Sequence, residues 1–171
     1  RLLDTPAGRN LYSDAAHSDD SQAATMTLDE KLQEDLKDAM RKGDRVRRSV
    51  IRFLRSRIHD EEIARQKPLD DDAVIDVLGK EVRQRQESID AFRKGDRPEM
   101  AEREAAEMAI LQEYLPEQLP HEEVVALATK VIQEVGAAGP GDLGKVMGPL
   151  MQQVRGKADG GEVRSIVSEL L

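Results

Sequence analysis

The sequence predicts an all-α protein, with an N-terminal helical domain of about four helices followed by a small C-terminal domain of three. Three observations lead there. Apolar residues recur every three or four positions, and no stretch alternates with the period of two that a half-buried strand requires. Aromatics make up 2% of the 171 residues and Trp is absent, so a core must be built from Leu, Ile, Val, Ala and Met. Charged residues of both signs reach 35%, which suits solvated helix faces, and the persistent apolar period argues against disorder.

Residues 1–25 stand apart. They carry Pro6, Gly8 and a polar run from Ser13 to Thr25 without apolar periodicity, and read as a disordered extension or a non-native segment. Asp4, Asp14, Asp19 and Asp20 carry the wrong charge for a targeting peptide. From Thr27 the helical period begins. Leu28, Leu32, Leu36 and Met40 define a first helix that Gly43 ends. Asp44 caps a second, with Val46, Val50, Phe53, Leu54 and Ile58 on its apolar side, and Pro68 breaks it. Asp70 opens a third through Val74, Val77, Leu78, Val82, Ile89 and Phe92 to Gly95. Pro98 occupies a first-turn position, and a fourth helix runs through Ala101, Ala105, Met108 and Leu111 to Leu115.

Pro116 and Pro120 mark the boundary, giving domains over 26–115 and 116–171. Beyond it, Val124, Leu127, Ala128, Val131 and Val135 predict a fifth helix. Leu143, Val146, Met147, Leu150 and Met151 predict a sixth, with a kink or break at Pro149. Asp159 and Glu162 have capping-box spacing before a last helix containing Val163, Ile166, Val167 and Leu170.

Composition narrows the chemistry. Without cysteine there are no disulfides, thiolate metal sites or cysteine nucleophiles, and a cytoplasmic protein is expected. No apolar run approaches the ~20 residues of a membrane span. His17, His59 and His121 lack the spacing of a metal site, and no serine sits in a nucleophile elbow. No cofactor, metal or catalytic residue is therefore expected. Gly139-Pro-Gly-Asp-Leu-Gly144-Lys145 satisfies GxGxxG and nearly satisfies a P-loop, but both need a preceding strand, and Val146 stands where the P-loop needs a hydroxyl. A glycine-rich turn opening a helix capped by Asp142 is the expectation.

Two basic regions remain as candidates. Residues 41–57 hold eight Lys or Arg and one acid, Asp44. On a helix, Arg45, Arg48, Arg52, Arg55 and His59 fall within an arc of about 80°. Such a stripe suits a phosphate backbone, unless acids on neighbouring helices neutralise it. The net charge of −8 restricts nucleic-acid binding to local patches of this kind. The second region, Lys145, Arg155, Lys157 and Arg164, surrounds turns that hold eight of the twelve glycines. Lys157 lies just before a helix N-terminus, whose free N–H groups favour anions.

The strings Lys80-Glu-Val-Arg-Gln-Arg-Gln-Glu-Ser-Ile89, Ile110-Leu-Gln-Glu-Tyr-Leu-Pro-Glu-Gln-Leu119, Gly144-Lys-Val-Met-Gly148 and Gly156-Lys-Ala-Asp-Gly160 resemble the GatB/YqeY family in order and spacing, from about Met26 to Leu171. The resemblance implies an N-terminal helical part and a small C-terminal one, related to the C-terminal tail of the GatB component of the glutamine-dependent aminoacyl-tRNA amidotransferase. It implies tRNA as a partner, with Gly144, Lys145, Gly148, Gly156, Lys157 and Ala158 matching the family's C-terminal pattern and Lys145, Arg155 and Lys157 as RNA contacts. The carbon–nitrogen ligase label with glutamine as amide donor belongs to the whole complex, whose kinase and amide-transfer machinery has no counterpart here. An RNA-binding module, a protein-binding adaptor and a stand-alone amidotransferase remain the three functional classes, in that order.

Overall fold

A computed structural model describes residues 26–171; the reading of residues 1–25 lies outside the described part. The described chain holds seven α-helices and no strand: α1 (Leu28–Lys42), α2 (Arg45–Arg65), α3 (Asp71–Lys94), α4 (Pro98–Gln112), α5 (His121–Val135), α6 (Leu143–Val154) and α7 (Gly160–Leu170). The helix starts follow from capping chemistry. Thr27 and Glu30 form a reciprocal box, with Thr27 N–H donating to Glu30 Oε2 at 2.8 Å. Asp44 and Asp70 side chains each accept a first-turn N–H at 2.9 Å. Asp159 accepts from Gly161 and Glu162, while Glu162 Oε1 lies 2.9 Å from His121 Nδ1, so the box there is only half made. Asp142 does not cap α6. It follows a 3-10 turn over Pro140–Asp142, accepts from Ala138 N–H at 3.0 Å and pairs with Lys145. Pro149 sits inside a continuous α6.

Two apolar clusters form. Leu32, Val50, Ile51, Leu54, Ile58, Val74, Val77, Leu78, Leu111 and Tyr114 join α1–α4. Val124, Ala128, Val131, Val146, Leu150, Val154, Val163, Ile166 and Val167 join α5–α7. Four apolar residues expected on inner faces, Met40, Val46, Phe53 and Leu170, are exposed instead. Met40 is 52% exposed and Ala39 is buried, because a strict spacing of four outruns the 3.6-residue turn and carries Met40 about 100° round the axis from Ala39. Val46 and Phe53 are exposed because α2 is centred on Ile51, Leu54 and Ile58. The fourth helix also stops at Gln112, before Leu115.

The two helical groups meet at one junction. Gln118 Nε2 donates to the Gly156 carbonyl at 2.6 Å, and Leu119 N–H to the Lys157 carbonyl at 2.8 Å. Gly156 has φ +70°, and a Cβ there would collide with Ile75 Cγ2 and lie 3.1 Å from Pro116 Cδ. A left-handed backbone and a missing side chain are thus both required at this point. On the other side of the first cluster, Tyr114 O–H donates to Asp35 Oδ2 at 2.7 Å, and Arg47 makes a two-pronged pair with Glu113 at 2.5 and 3.0 Å.

These contacts set the cost of changing them. Gly156→Ala should cost about 2–4 kcal/mol, since strain at positive φ adds to overpacking against α3. Gly136→Ala, at φ +66° with open space around it, should cost about 1 kcal/mol. Urea titration of both variants checks the contrast, and equal costs would remove the packing argument. Burial and the bond to Asp35 raise the Tyr114 pKa above its ordinary value. A raised folded-state pKa gives stability that is complete below the unfolded tyrosine value near 10 and is lost as pH rises above it. Tyr114→Phe should therefore cost about 1 kcal/mol at neutral pH and flatten the loss of stability above pH ~10. Thermal melts across that range measure it.

Candidate functional site

The candidate cations occupy three settings. On α2, Arg45 and Arg52 are exposed and Arg48 is half-buried, and none of the three makes an ion pair among the described residues; Arg52 reaches only Met40 sulfur, at 4.0 Å. Arg55 has Asp29 Oδ1 3.6 Å from its Nε, so neutralisation by a neighbouring helix holds for this one arginine of the stripe. Near the C-terminus, Lys145 is bound to Asp142 at 2.6 Å, and this contact, with the Ala138 N–H, holds the Asp142 carboxyl below the usual range. Arg155 reaches Asp72 at 3.1 Å and Asp76 at 3.4 Å, both on α3, and so ties the last helices to the first group. Lys157 is exposed in the α6–α7 turn and makes no ion pair among the described residues.

Four of these seven residues lie on α2, which packs against α1, α3 and α4, and the other three lie on α6 and in the turn that follows it. A half-open groove of about 660 Å³ lies between α3, the end of α4 and the α6–α7 turn, and of the seven only Arg155 lines it. Its α3 wall follows helical spacing. Ile75, Gly79, Val82 and Gln86 run along the middle, flanked by Asp76, Lys80, Arg83 and Glu87. Met108, Gln112, Leu115 and Gln118 come from the α4 end and the link, and Met151, Ala158, Asp159 and Gly160 from the opposite wall. Three of the four sequence blocks that carry the family resemblance thus meet in one place.

The Lys80–Ile89 block serves two faces of α3. Glu81 is buried and accepts from Arg57 Nε at 3.0 Å, and Arg85, its side chain mostly covered, reaches Glu104 at 2.8 Å and Glu107 at 2.7 Å. The guanidinium groups of Arg57 and Arg85 lie over the Phe53 ring, at 5.5 and 5.6 Å from its centre. These residues lock α3 against α2 and α4. Lys80, Arg83, Gln86 and Glu87 face the groove instead, and neither Lys80 nor Arg83 makes an ion pair among the described residues. Sequence reasoning does not single out Lys80 and Arg83, because they are embedded in a mixed-charge helix. Gly79 is the available signal: a glycine inside a helix costs about 1 kcal/mol relative to alanine, and here no neighbour within 4 Å explains it.

Among the described residues no cluster of His, Asp or Glu is arranged to hold a metal ion, and no helix is long and apolar enough to cross a membrane.

A family model described as Yqey-like protein matches residues 29–171. Among curated proteins, the chain is 42% identical over 102 residues to "Altered inheritance of mitochondria protein 41, mitochondrial" of Eremothecium gossypii, covering 59% of this chain and 55% of that one. It is 38% identical to the protein of the same name from Lachancea thermotolerans, covering 64% and 60%, and 29% identical to that of Pyrenophora tritici-repentis, covering 75% and 71%. The chain thus spans less than two thirds of the length of the first two. These names correct the cytoplasmic location expected from composition, since all three relatives are named as mitochondrial. Absence of cysteine does not by itself separate one reducing compartment from another.

Proposed function

The chain belongs to the Yqey-like protein family, and from that membership we propose that it is a helical RNA-binding module, with tRNA as its partner and mitochondria as its location. Its relation to the glutamine-dependent tRNA amidotransferase, and with it the carbon–nitrogen ligase label, is one of shared architecture, with residues 26–115 and 116–171 acting as two domains.

The observation that carries the reading is the α2 stripe. Arg45, Arg48 and Arg52 lie on one arc of a helix held by its buried opposite face, and among the described residues no carboxylate pairs with them. Guanidinium groups spaced along a rigid helix match a phosphate backbone, and their charge is available because no protein acid has taken it up. Lys157, unpaired among the described residues, supplies a further cation, and Lys145 one that exchanges its single partner, the half-buried Asp142, for a phosphate. Arg155 is committed to Asp72 and Asp76, and we assign it to holding the C-terminal helices in place. A protein-binding role is favoured by a different feature, the groove, and concerns a different surface.

The test is binding of the full chain to total tRNA over a salt series, beside an Arg45→Ala/Arg48→Ala/Arg52→Ala variant. Affinity should fall steeply with salt, and the variant should lose about 2–3 from the slope of log K against log salt, as three phosphate contacts disappear. Salt-independent binding, or a variant with an unchanged slope, would refute the stripe as the RNA surface.

A further inference from the structure

We propose that the groove along α3 is the docking site for an amphipathic helix of a partner protein, carrying an apolar ridge and acidic residues along one flank. This surface is separate from the α2 stripe and the inference does not depend on RNA binding.

The shape comes first. Lining residues on α3 extend from Ile75 to Glu87, a trough of about 18 Å at the helical rise, which matches roughly three turns of a bound helix. The apolar floor and walls are Ile75, Val82, Met108, Leu115, Met151 and Ala158. Methionines from two elements, Met108 on α4 and Met151 on α6, let such a floor adapt to the side chains it receives. Gly79 stands at the middle of the trough, where a Cβ would meet nothing within 4 Å. A bare backbone at that point lets another helix approach closely, and it accounts for a glycine that the fold does not need.

Charge selects the occupant. Two of the groove's four cations are already satisfied: Arg65 by Glu61, and Arg155 by Asp72 and Asp76. Lys80 and Arg83, three residues apart on the α3 flank, are not paired among the described residues. They call for carboxylates about one turn apart on the ligand. A nucleic-acid strand fits less well, because Asp76, Glu87 and Asp159 also line the groove and would oppose a continuous run of phosphates. An apolar ridge with an acidic flank meets both the floor and the rim, which is the helix-in-groove mode of recognition.

The experiment uses the full chain with methyl-labelled methionines and a designed helical peptide of about four turns, with Leu at i, i+4, i+7 and i+11 and Glu along one flank. Its counterpart carries Lys at the Glu positions. The acidic peptide should bind saturably, shift the Met108 and Met151 methyl resonances and leave Met40 unmoved. Gly79→Leu, which fills the trough while favouring the helix, should weaken binding at least about tenfold. Lys80→Glu/Arg83→Glu should reverse the preference between the two peptides, a result that general unfolding cannot produce. Equal binding of both peptides, no saturable binding, or shifts at Met40 instead would overturn the proposal. So would tRNA that displaces the peptide and moves Met108 and Met151, which would make the groove an RNA site, or self-association that closes the groove with a second copy.

Discussion

The contact at Gly156 is the constraint on which the arrangement of the chain depends. Here the turn between α6 and α7 passes so close to α3 that Ile75 and Pro116 occupy the space a side chain would need. The positive φ that makes the turn also aims the Gly156 and Lys157 carbonyls at Gln118 and Leu119, so the link after α4 and the turn after α6 are joined by hydrogen bonds. Arg155, one residue earlier, clasps Asp72 and Asp76 from the same side. Polar and steric restraints thus coincide within three residues, and the wall formed by Met151, Ala158 and Gly160 stands opposite α3 because of them.

Electrostatics in this protein is a matter of allocation. A chain with net charge −8 has more than enough carboxylates to neutralise its cations, so any cation left without a partner reflects where the helices hold the acids. Many pairs are local, such as Lys31 with Asp35 and Lys42 with Asp38, and exposed pairs of this type contribute little to stability. The long-range pairs fix helices to one another: Arg47 with Glu113, Arg57 with Glu81, Arg85 with Glu104 and Glu107. Among the described residues, what remains unpaired is Arg45, Arg48 and Arg52 on α2, a locally basic stripe on an acidic protein, and Lys80 and Arg83 on α3, set beside Asp76 and Glu87 in a flank of mixed charge.

Helix identity and most helix ends were legible in the sequence because they rest on local chemistry: Asp44, Asp70 and Asp159 at starts, Gly43 and Gly95 at stops, Pro98 in a first turn. Facing was legible only to within a quarter turn, as Met40, Val46 and Phe53 show, since which stripe is buried is decided by the helices that arrive later in the chain. The stripe of arginines on α2 could be read as one arc. Its freedom could not, because Asp29 on α1 is what captures Arg55. The groove lay further out of reach. Its walls come from Ile75–Glu87, from Met108–Gln118 and from Met151–Gly160, and nothing local says that these segments meet. Two fragments of the answer were present, the resemblance carried by those blocks and a glycine in mid-helix.

The buried half of α3 gives the exposed half its meaning. Glu81 and Arg85 are costly to bury, and their partners on α2 and α4 recover that cost only while α3 keeps one rotation about its axis. A turn of α3 would strand both charges, so Lys80, Arg83, Gln86 and Glu87, which alternate with them along the same helix, are held facing the groove. A surface fixed in this way needs little reorganisation when a ligand arrives, and less of the interaction energy is lost in ordering it. The mixed-charge block that looks in sequence like an ordinary solvated helix therefore has two functions at once: one set of charges sets the helix's angle, and the other is presented by it.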